Sequence, residues 1–592
     1  MEKLIWNLND VLKVDDFDAL YAKVEQDIEK LDIFYEKLSP DMSIEDFQDY
    51  VEFDEQLGED YNRLDGLPHL ALATNIEDNT AKKLFGRFQD IKIKYSEKNT
   101  KINLWLQGKE VDEKPVLDDE NANRLFSSIP NLEYVLQDMR KQAKYSLTEP
   151  EEKMVTAKDA NLKSPLLELR SEITTEFKYV FRPKGAKEEQ IIDNQSDMNK
   201  YFFSQNPDER EATYVALLSK FKDNVSKLFW IYQAVVKDWI HSAEKRGYNS
   251  SISIRNVDNG LPDKAVETLL EVCAENVGIY QDYFRFKAKE LGIEKLRRFD
   301  IYAPLKIKSE EDIPFEEGKK IVFETFKLIS KNFAEKAQQV LDEQHVDSHP
   351  NPKKKSGAFC STISSKITPY VMLNYTNTAN DVATLAHELG HAVHSLLSNH
   401  LPSSAQDSSL PLAETASTFA EMVVFEKLFE KADEQTKKAM LSDKLADSYK
   451  SIMRQTYFVN FEIRAHEAIK KGVNAEELSD IYFETLKEQF GDSLDIDPLF
   501  KYEWSMIPHL VRTPFYCYAY PFGDLLSLAL YGKYKEEGQS FVQKIENILA
   551  VGGSKSPEDT LKEVNIDINS KDFWQGSFNV IKGWQEQLNS FQ

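Results

Sequence analysis

Five consecutive residues, His387-Glu388-Leu389-Gly390-His391, restrict the fold of this chain more than any other stretch of its sequence. Histidines four residues apart lie on one face of an α-helix, so both imidazoles can reach a single metal ion. Glu388 is offset by about 100° around the helix axis. A carboxylate in that position, beside the metal, is suited to accept a proton from a bound water molecule. The pattern therefore predicts a metal-binding helix with Glu388 as a general base.

The chain contains two near-matches to this pattern, which serve as internal controls. His466-Glu467 has no second histidine four residues after the first. His345 and His349 have the right spacing, but Val346 stands where the glutamate belongs. We interpret both as structural histidines. The complete pattern is favoured because other features of the sequence converge on it.

A catalytic zinc usually has three protein ligands and leaves one position to water, so a third ligand must be found. His394 cannot share a metal with His387, because seven residues of helix rise about 10 Å while zinc–nitrogen bonds are about 2 Å. His394 is therefore expected to have a structural or supporting role. Leu397 occupies the position where metzincins carry a third histidine, and His400 is off that spacing.

The remaining candidates for the third ligand lie in a second helix, which we expect to begin near Pro411. Glu414 and Glu421 are seven residues apart and share one face of that helix. Small residues around Glu414 allow the two helices to approach closely; they are Ala413, Thr415, Ala416 and Ser417. We predict Glu414 as the third ligand. Glu421 is either a hydrogen-bond partner of a ligating histidine or an ordinary surface acid.

The fold class predicted from periodicity is mainly α. Apolar residues of the first hundred positions recur at three- and four-residue spacing, as in Phe17, Leu20, Tyr21, Val24, Ile28 and Leu31. The character changes at residues 177–181, where aromatic residues alternate before a Pro-Lys-Gly turn. This alternation predicts a short strand or hairpin, with a new helix after Pro207.

A run of β-forming residues, Thr368 to Thr376, stands directly before the metal-binding helix. It predicts a small sheet beside that helix. We expect Asn380 or Asp381 to be the N-cap of the helix, because both are strong capping residues at its start.

The length of 592 residues exceeds the usual size of one compact domain, so two lobes are expected. We place the boundary near residue 190, with an N-terminal helical lobe at 1–190 and the catalytic domain at 191–592. The net charge of −26 argues against binding to nucleic acid or to an anionic membrane. We therefore expect neither as a partner.

The cysteine content and the N-terminus indicate a cytoplasmic protein. Three cysteines (Cys273, Cys360 and Cys517) form no disulfide framework and fit a reducing compartment. The first ten residues carry acids and no apolar run, unlike a signal peptide. No apolar stretch approaches the length of about 20 residues that a membrane helix needs.

Several motifs from about residue 350 to the C-terminus resemble those of one known family, the oligoendopeptidase F and thimet oligopeptidase family of zinc metallopeptidases. The motifs are His-Glu-Leu-Gly-His-Ala-Val-His at 387–394, Ala-Glu-Thr-Ala-Ser around Glu414, Gly-Ala-Phe-Cys at 357–360, Asn-Tyr-Thr at 374–376, Arg454-Gln455, Phe461-Glu462 and Gly552-Gly553-Ser554 to Pro557. Together these motifs are far more specific than the histidine pattern alone.

The resemblance implies a two-lobed helical molecule with a deep central channel that excludes folded proteins. It also implies a glutamate as the third zinc ligand, in agreement with Glu414. A late segment of the family carries a histidine and tyrosines that face the scissile bond. Here that segment carries over to His509 and Tyr520, with the choice between Tyr516 and Tyr518 left open and Tyr516 preferred.

The predicted function is that of an endopeptidase with one Zn²⁺ per chain, cutting internal bonds of short unstructured peptides. Glu388 would act as the general base, and Tyr520 or Tyr516 would donate a hydrogen bond to the carbonyl oxygen. The strand at 370–375 would pair with the extended peptide, which gives broad specificity. The same ligands also bind cobalt or manganese, and the oligomeric state does not follow from the sequence.

Three alternatives remain, of which the weakest, a non-hydrolytic structural helical protein, leaves the convergence of motifs unexplained. A dipeptidyl carboxypeptidase or carboxypeptidase on the same scaffold needs a cation for the terminal carboxylate, and Arg512 is a candidate. An inactive peptide-binding protein would keep the channel without catalysis, but the intact Glu388 argues against it.

Overall fold

The structure, a computed structural model, describes residues 4–305 and 312–591. Within these residues the fold is mainly α, as predicted. The helices, numbered in chain order, are α1 (Phe17–Lys37), α2 (Ile44–Thr74), α3 (Asn79–Leu106), α4 (Asp119–Phe126), α5 (Glu133–Ala143), α6 (Glu149–Lys158), α7 (Ser164–Thr175), α8 (Asn199–Phe202), α9 (Pro207–Asp223), α10 (Val225–Arg246), α11 (Ser253–Asp258), α12 (Asp263–Glu275), α13 (Val277–Glu290), α14 (Phe315–Ile329), α15 (Lys331–Asp342), α16 (Ala379–Leu397), α17 (Ser403–Gln406), α18 (Leu410–Ala413), α19 (Thr415–Lys431), α20 (Glu434–Ser448), α21 (Arg454–Lys471), α22 (Ala475–Phe490), α23 (His509–Arg512), α24 (Ala519–Glu537), α25 (Gln539–Ala550), α26 (Pro557–Lys562) and α27 (Lys571–Ser590).

Short strands form three small sheets in the described part of the chain. The strands are β1 (Tyr179–Phe181), β2 (Gln190–Ile192), β3 (Leu296–Arg297), β4 (Val346–Asp347), β5 (Phe359–Ser361), β6 (Tyr370–Met372) and β7 (Leu494–Asp495). β1 and β2 are an antiparallel pair, and β3 pairs in parallel with β7. The third sheet has the order β4-β6-β5, with β6 parallel to β4 and antiparallel to β5.

The contacts between residues divide the chain into two compact units, each built from three stretches. Unit 1 comprises Met1–Lys144, Glu310–Lys431 and Leu530–Asp567, and unit 2 comprises Tyr145–Ser309, Ala432–Ala529 and Ile568–Gln592. The boundary near residue 190 stays a prediction about domains; in the structure residue 190 is the first residue of β2, within unit 2.

The core of unit 1 confirms the helical periodicity read from the first hundred residues. The predicted apolar face of α1 is buried or packed against this core through Phe17, Leu20, Tyr21, Val24, Ile28 and Leu31. Tyr370 and Met372 of β6 belong to the same core. The three-stranded sheet is therefore anchored to the N-terminal helices by apolar side chains.

The core of unit 2 contains the predicted hairpin. Phe177, Tyr179 and Phe181 are buried against Leu217 and Phe221 of α9. Alternate residues of a strand face the same side of the sheet, so these three aromatic side chains all pack against α9. The prediction of a hairpin followed by a helix at Pro207 is confirmed.

The three-stranded sheet leaves β5 as an edge strand. Val371 donates its backbone N–H to His345 O, and Leu373 donates to Asp347 O, both at 2.8 Å. The other side of β6 pairs with β5, so β6 is hydrogen-bonded on both sides. The expectation that the strand at 370–375 pairs with a peptide is therefore wrong for β6, because its backbone groups are already used.

The helix of the histidine motif, α16, begins with a capping box. Thr378 is its N-cap and accepts a hydrogen bond from Asp381 N–H, while the Asp381 carboxylate accepts from Thr378 N–H. The expected N-cap at Asn380 or Asp381 is thus wrong by two or three residues. Asp381 does cap the helix, but from inside its first turn. Among the described helices, none is long and apolar enough to cross a membrane.

Candidate active site

Helix α16 presents both histidines of the motif on one face. The ring centroids of His387 and His391 are 4.9 Å apart. Nε2 of His387 lies 3.4 Å from Oε2 of Glu414, and Nε2 of His391 lies 3.3 Å from the same oxygen. The structure therefore brings together the three side chains that the sequence suggested as metal ligands.

Glu414 lies at a break between two helices. α18 ends at Ala413 and α19 begins at Thr415, so the single helix expected from Pro411 is wrong in this detail. Glu414 itself has φ −84° and ψ 0°, outside regular helix geometry. Ser417 Oγ donates a hydrogen bond of 2.8 Å to Glu414 Oε2. The break and this hydrogen bond orient the Glu414 carboxylate toward the two histidines.

The close approach of α16 and α19 depends on Gly390. Its backbone faces Ala416 and Ser417 so closely that a Cβ atom has no room. The small residues noted in the sequence therefore do what was expected of them. They allow α19 to start against the face of α16 that carries His387 and His391.

The donor atoms of His387, His391 and Glu414 fit a metal ion. One ligand atom from each lies within 4.8 Å of the others, as three ligands of one ion must. Two imidazole nitrogens and one carboxylate oxygen are a ligand set found in catalytic zinc sites. Over residues 4–305 and 312–591, no other group of three potential ligands meets this criterion.

Glu421 faces the other ring nitrogen of His387, with its Oε2 3.5 Å from Nδ1. Of the two interpretations left open by the sequence, the geometry supports the histidine partner over the surface acid. Burial lowers the pKa of His387, but the hydrogen bond with Glu421 and the nearby carboxylates of Glu388 and Glu414 raise it to about 9 overall. The same carboxylates favour a divalent cation at this place.

Glu388 is 7% exposed and is held from the sheet side. The backbone N–H of Cys360 in β5 donates a hydrogen bond to its carboxylate. Burial raises the pKa of Glu388, while the neighbouring His387 and His391 lower it, and the net direction is upward. A buried carboxylate with a raised pKa is suited to take and release a proton near neutral pH.

His394 is buried behind the three candidate ligands. Burial lowers the pKa of His394 to about 4, although its hydrogen bond with the backbone of Ala413 acts in the opposite direction and raises the pKa. Ala413 is the residue before Glu414. The neutral imidazole therefore ties α16 to the helix break, which is the supporting role expected of His394.

A cavity of about 680 Å³ in unit 1 is lined by His387, Glu388, His391, His394 and Glu414. One wall is the end of β5, with Ala358, Phe359 and Cys360. Asp407 and Leu410 also line the cavity. The cavity has room for the residues on either side of a peptide bond.

A second group of candidate residues lies in unit 2. The His509 ring is parallel to that of Tyr516, with centroids 5.9 Å apart, and lies 6.1 Å from the Tyr520 ring. The two tyrosine rings are 5.5 Å apart. We call His509, Tyr516 and Tyr520 the aromatic cluster. Tyr520 is 37% exposed, so part of its side chain is accessible to solvent.

Tyr518 has a different environment from the aromatic cluster. Its side chain is completely buried, and its hydroxyl accepts a hydrogen bond of 2.8 Å from Asn259 Nδ2. A buried hydroxyl with a fixed partner has a structural role. The geometry therefore supports the preference for Tyr516 over Tyr518.

Two contributors to the site were not predicted. The Ser417 hydroxyl was detectable, because a serine three residues after a glutamate at a helix start can reach back to it. The backbone N–H of Cys360 was not, because its direction depends on the pairing of β5 with a distant strand.

Comparisons with known proteins agree with this geometry. The family description "Peptidase family M3" matches residues 201–580, more than half of the chain. An oligoendopeptidase F homolog of Borreliella burgdorferi is 27% identical over 601 residues, covering 98% of this chain and 99% of that protein.

Solved structures share the fold over the whole chain. A protein of Chlamydophila abortus has a TM-score of 0.86 at 22% identity, covering 99% of this chain and 98% of that one. Oligoendopeptidase-F of Enterococcus faecium has a TM-score of 0.69 at 20% identity, with 98% and 99% covered.

Proposed function

Because the chain belongs to peptidase family M3, and is therefore a metallo-endopeptidase, we propose that it uses one zinc ion to hydrolyse internal bonds of short unstructured peptides. The observation that carries this proposal is the convergence of His387, His391 and Glu414 within 4.8 Å, with Glu388 beside them. Cytoplasmic location stays an expectation from the sequence.

His387, His391 and Glu414 would hold the zinc ion, whose chemistry is to acidify a water molecule and polarise a carbonyl oxygen. Glu388 takes the proton of the attacking water and then delivers it to the leaving amine nitrogen. The hydrogen bond from Cys360 N–H fixes one side of the Glu388 carboxylate.

The edge strand β5 is the proposed place for the peptide backbone. Val371 donates its backbone N–H to β4, so its pair with Cys360 has no hydrogen bonds and the backbone groups of Cys360 point away from β6. The Cys360 N–H is donated to Glu388, which leaves the Cys360 carbonyl oxygen to accept from the peptide. The neighbouring residues line the cavity that contains Glu388. An extended peptide added along this edge would be recognised by its main chain, which would give broad specificity.

The aromatic cluster is proposed to act on the substrate as well. A tyrosine hydroxyl, of Tyr520 or Tyr516, would donate to the carbonyl oxygen as negative charge develops on it. His509 would donate to the substrate backbone or to the same oxygen. Burial lowers the pKa of His509, so its ring is neutral near pH 7 and keeps one N–H donor.

The carboxypeptidase alternative depends on Arg512 as the receptor of a terminal carboxylate. In the structure Arg512 donates from Nη2 to Ser171 Oγ at 2.9 Å. This hydrogen bond gives the guanidinium a structural partner within unit 2. The internal-cleavage proposal is therefore preferred.

The test is hydrolysis of an internally quenched peptide blocked at both ends. We expect internal cleavage by the wild type, loss on chelation and recovery with zinc. Glu388→Gln should lower kcat by about 100-fold or more with one zinc per chain retained. Glu467→Gln, which changes the exposed glutamate of the other His-Glu pair, is the matched control and should retain activity.

If the protein cleaves peptides with free ends but not blocked ones, the carboxypeptidase alternative would replace this proposal. Full activity of Glu388→Gln, or of the zinc-free protein, would refute the assigned chemistry.

A further inference from the structure

A buried carboxyl group holds the segment that connects His509 to Tyr516. Glu462 lies on α21 and is completely buried. Its Oε1 accepts a hydrogen bond of 2.8 Å from the backbone N–H of Phe515. Phe515 directly precedes Tyr516, so this hydrogen bond acts on the backbone that carries the aromatic cluster.

Phe515 has a backbone conformation that side chains other than glycine seldom adopt. Its φ is 59° and its ψ is 12°, in the left-handed region. For a residue with a side chain this conformation is unfavourable, so it persists only where surrounding contacts impose it. Phe515 lies between α23 and the 3₁₀ turn Tyr516–Tyr518.

Three contacts impose this conformation on the segment. Glu462 accepts the N–H of Phe515, as described. Arg255 Nε donates to Pro514 O at 3.3 Å. The His466 ring, one helical turn after Glu462, lies with its centroid 4.6 Å from that of Phe515. The left-handed residue is therefore fixed at its amide, at the preceding carbonyl and at its ring.

We infer that Glu462 is a positioning residue for the aromatic cluster, acting through the Phe515 amide to set Tyr516 and Tyr520 beside His509. This inference rests on the proposed role of the cluster in peptide hydrolysis. Without the carboxyl group, the Phe515 amide would be buried without its acceptor. The segment would then relax from the left-handed conformation, and the rings after it would lose their positions.

The second carboxyl oxygen of Glu462 shows that packing alone does not account for this residue. Oε2 is buried and has no hydrogen-bond partner among the described residues. An unpaired buried polar atom destabilises the folded state, and an apolar side chain would avoid this cost. Only an acceptor at Oε1 satisfies the Phe515 amide. Burial raises the pKa of Glu462 to about 8, so the neutral carboxyl group, which glutamine mimics, prevails at neutral pH.

Three variants separate positioning from packing. Glu462→Gln keeps an acceptor oxygen at the same place. Glu462→Leu keeps most of the volume and removes the acceptor. Glu462→Asp keeps a carboxyl group but withdraws it by one methylene, and it serves if the leucine variant does not fold.

Hydrogen–deuterium exchange of the full-length protein is the first measurement. We expect faster amide exchange over residues 513–518 in the leucine and aspartate variants, and wild-type exchange in the glutamine variant. Unchanged exchange in the leucine and aspartate variants would overturn the inference. This readout does not require peptidase activity, so it remains informative if the proposed function fails.

Kinetics provide the second measurement. With the acceptor removed, kcat should fall about 10- to 100-fold because the donors are misplaced, while KM changes little and Glu462→Gln restores kcat. In a background with Tyr516→Phe and Tyr520→Phe, removing the acceptor should cause no further loss, because both changes act on one step. An equal loss in that background would show that Glu462 acts elsewhere and would overturn the inference. Inactivity of the wild type would instead refute the proposed function.

Discussion

Gly390 and Ser417 touch across two helices: a Cβ atom added to Gly390 would lie 2.6 Å from Cα of Ser417. It would also lie 2.8 Å from the carbonyl oxygen of Ala416. Both obstacles are backbone atoms, which cannot turn aside as a flexible side chain can. The distance between α16 and α19, and with it the place of Glu414 beside the histidines, is thus set by the absence of one methyl group.

Gly390→Ala should therefore weaken both the fold and the metal site. Forcing a methyl group into a packed contact costs about 1–3 kcal/mol, and separating the helices moves Glu414 away from His391. Urea unfolding and zinc titration measure the two effects. Gly583→Ala is the control, because Gly583 lies inside α27 with nothing within 4 Å of an added Cβ. It should stabilise the protein slightly, since alanine favours helices over glycine by about 1 kcal/mol.

Glu421→Gln should lower the affinity for zinc about 10- to 100-fold, the usual effect of removing a carboxylate behind a histidine ligand. The carboxylate faces Nδ1 of His387 and favours the tautomer whose Nε2 points toward Glu414. Competition with a chromophoric chelator measures the affinity. Glu430→Gln, an exposed acid of the same helix, should retain wild-type affinity. Equal affinities of the two variants would contradict the role of Glu421.

Tyr516→Phe should affect catalysis, whereas Tyr518→Phe should affect stability. Loss of the Tyr516 hydroxyl should lower kcat without changing thermal stability, because this ring belongs to the aromatic cluster. Loss of the Tyr518 hydroxyl breaks its hydrogen bond with Asn259 and should lower the free energy of unfolding by about 1 kcal/mol, with kcat retained. Thermal melting and steady-state kinetics on both variants decide the matter. A fall in kcat for Tyr518→Phe alone would reverse the assignment.

His466 should make the protein sensitive to acid. Burial lowers its pKa in the folded state to about 3, whereas an exposed histidine titrates near 6.5. As pH falls below 6.5, the unfolded chain takes up a proton that the folded chain does not, so the free energy of unfolding decreases. The loss is about 1.4 kcal/mol per pH unit and continues down to about pH 3.

The variant His466→Leu lacks this titration. Between pH 6.5 and pH 4.5 its free energy of unfolding should fall by about 2 kcal/mol less than that of the wild type, because the unfolded histidine is already half protonated at pH 6.5. Urea unfolding at the two pH values measures the difference, in which the other titrating groups cancel. His241→Leu, at an exposed position, should retain the wild-type difference. A wild-type difference in His466→Leu would contradict the prediction.

Local chemistry made the candidate metal ligands of this chain detectable from sequence. The spacing of His387 and His391 specifies a helix face, and the small residues around Glu414 indicate a close helix partner. The exact cap of α16 was missed because Thr378, Asn380 and Asp381 are all good capping residues. Only the box formed between Thr378 and Asp381 distinguishes them.

Contacts between distant segments were beyond such reasoning. The edge position of β5 depends on the pairing of β6 with Val346 and Asp347, a strand of two residues with no sequence signal of its own. The hydrogen bond between Glu462 and the Phe515 amide joins residues 53 positions apart. Neither residue follows a local pattern that specifies the other, so only the folded chain reveals the pair.

The division of both units into three stretches has a consequence for the synthesis of this protein. Unit 1 needs residues up to Asp567, and unit 2 needs the helix that begins at Lys571. During synthesis, most of the chain therefore emerges from the ribosome before either unit has all three of its stretches. Since incomplete units expose apolar surface, we expect the nascent chain to depend on chaperones. A nonsense mutation at any codon before residue 530 would leave both units incomplete.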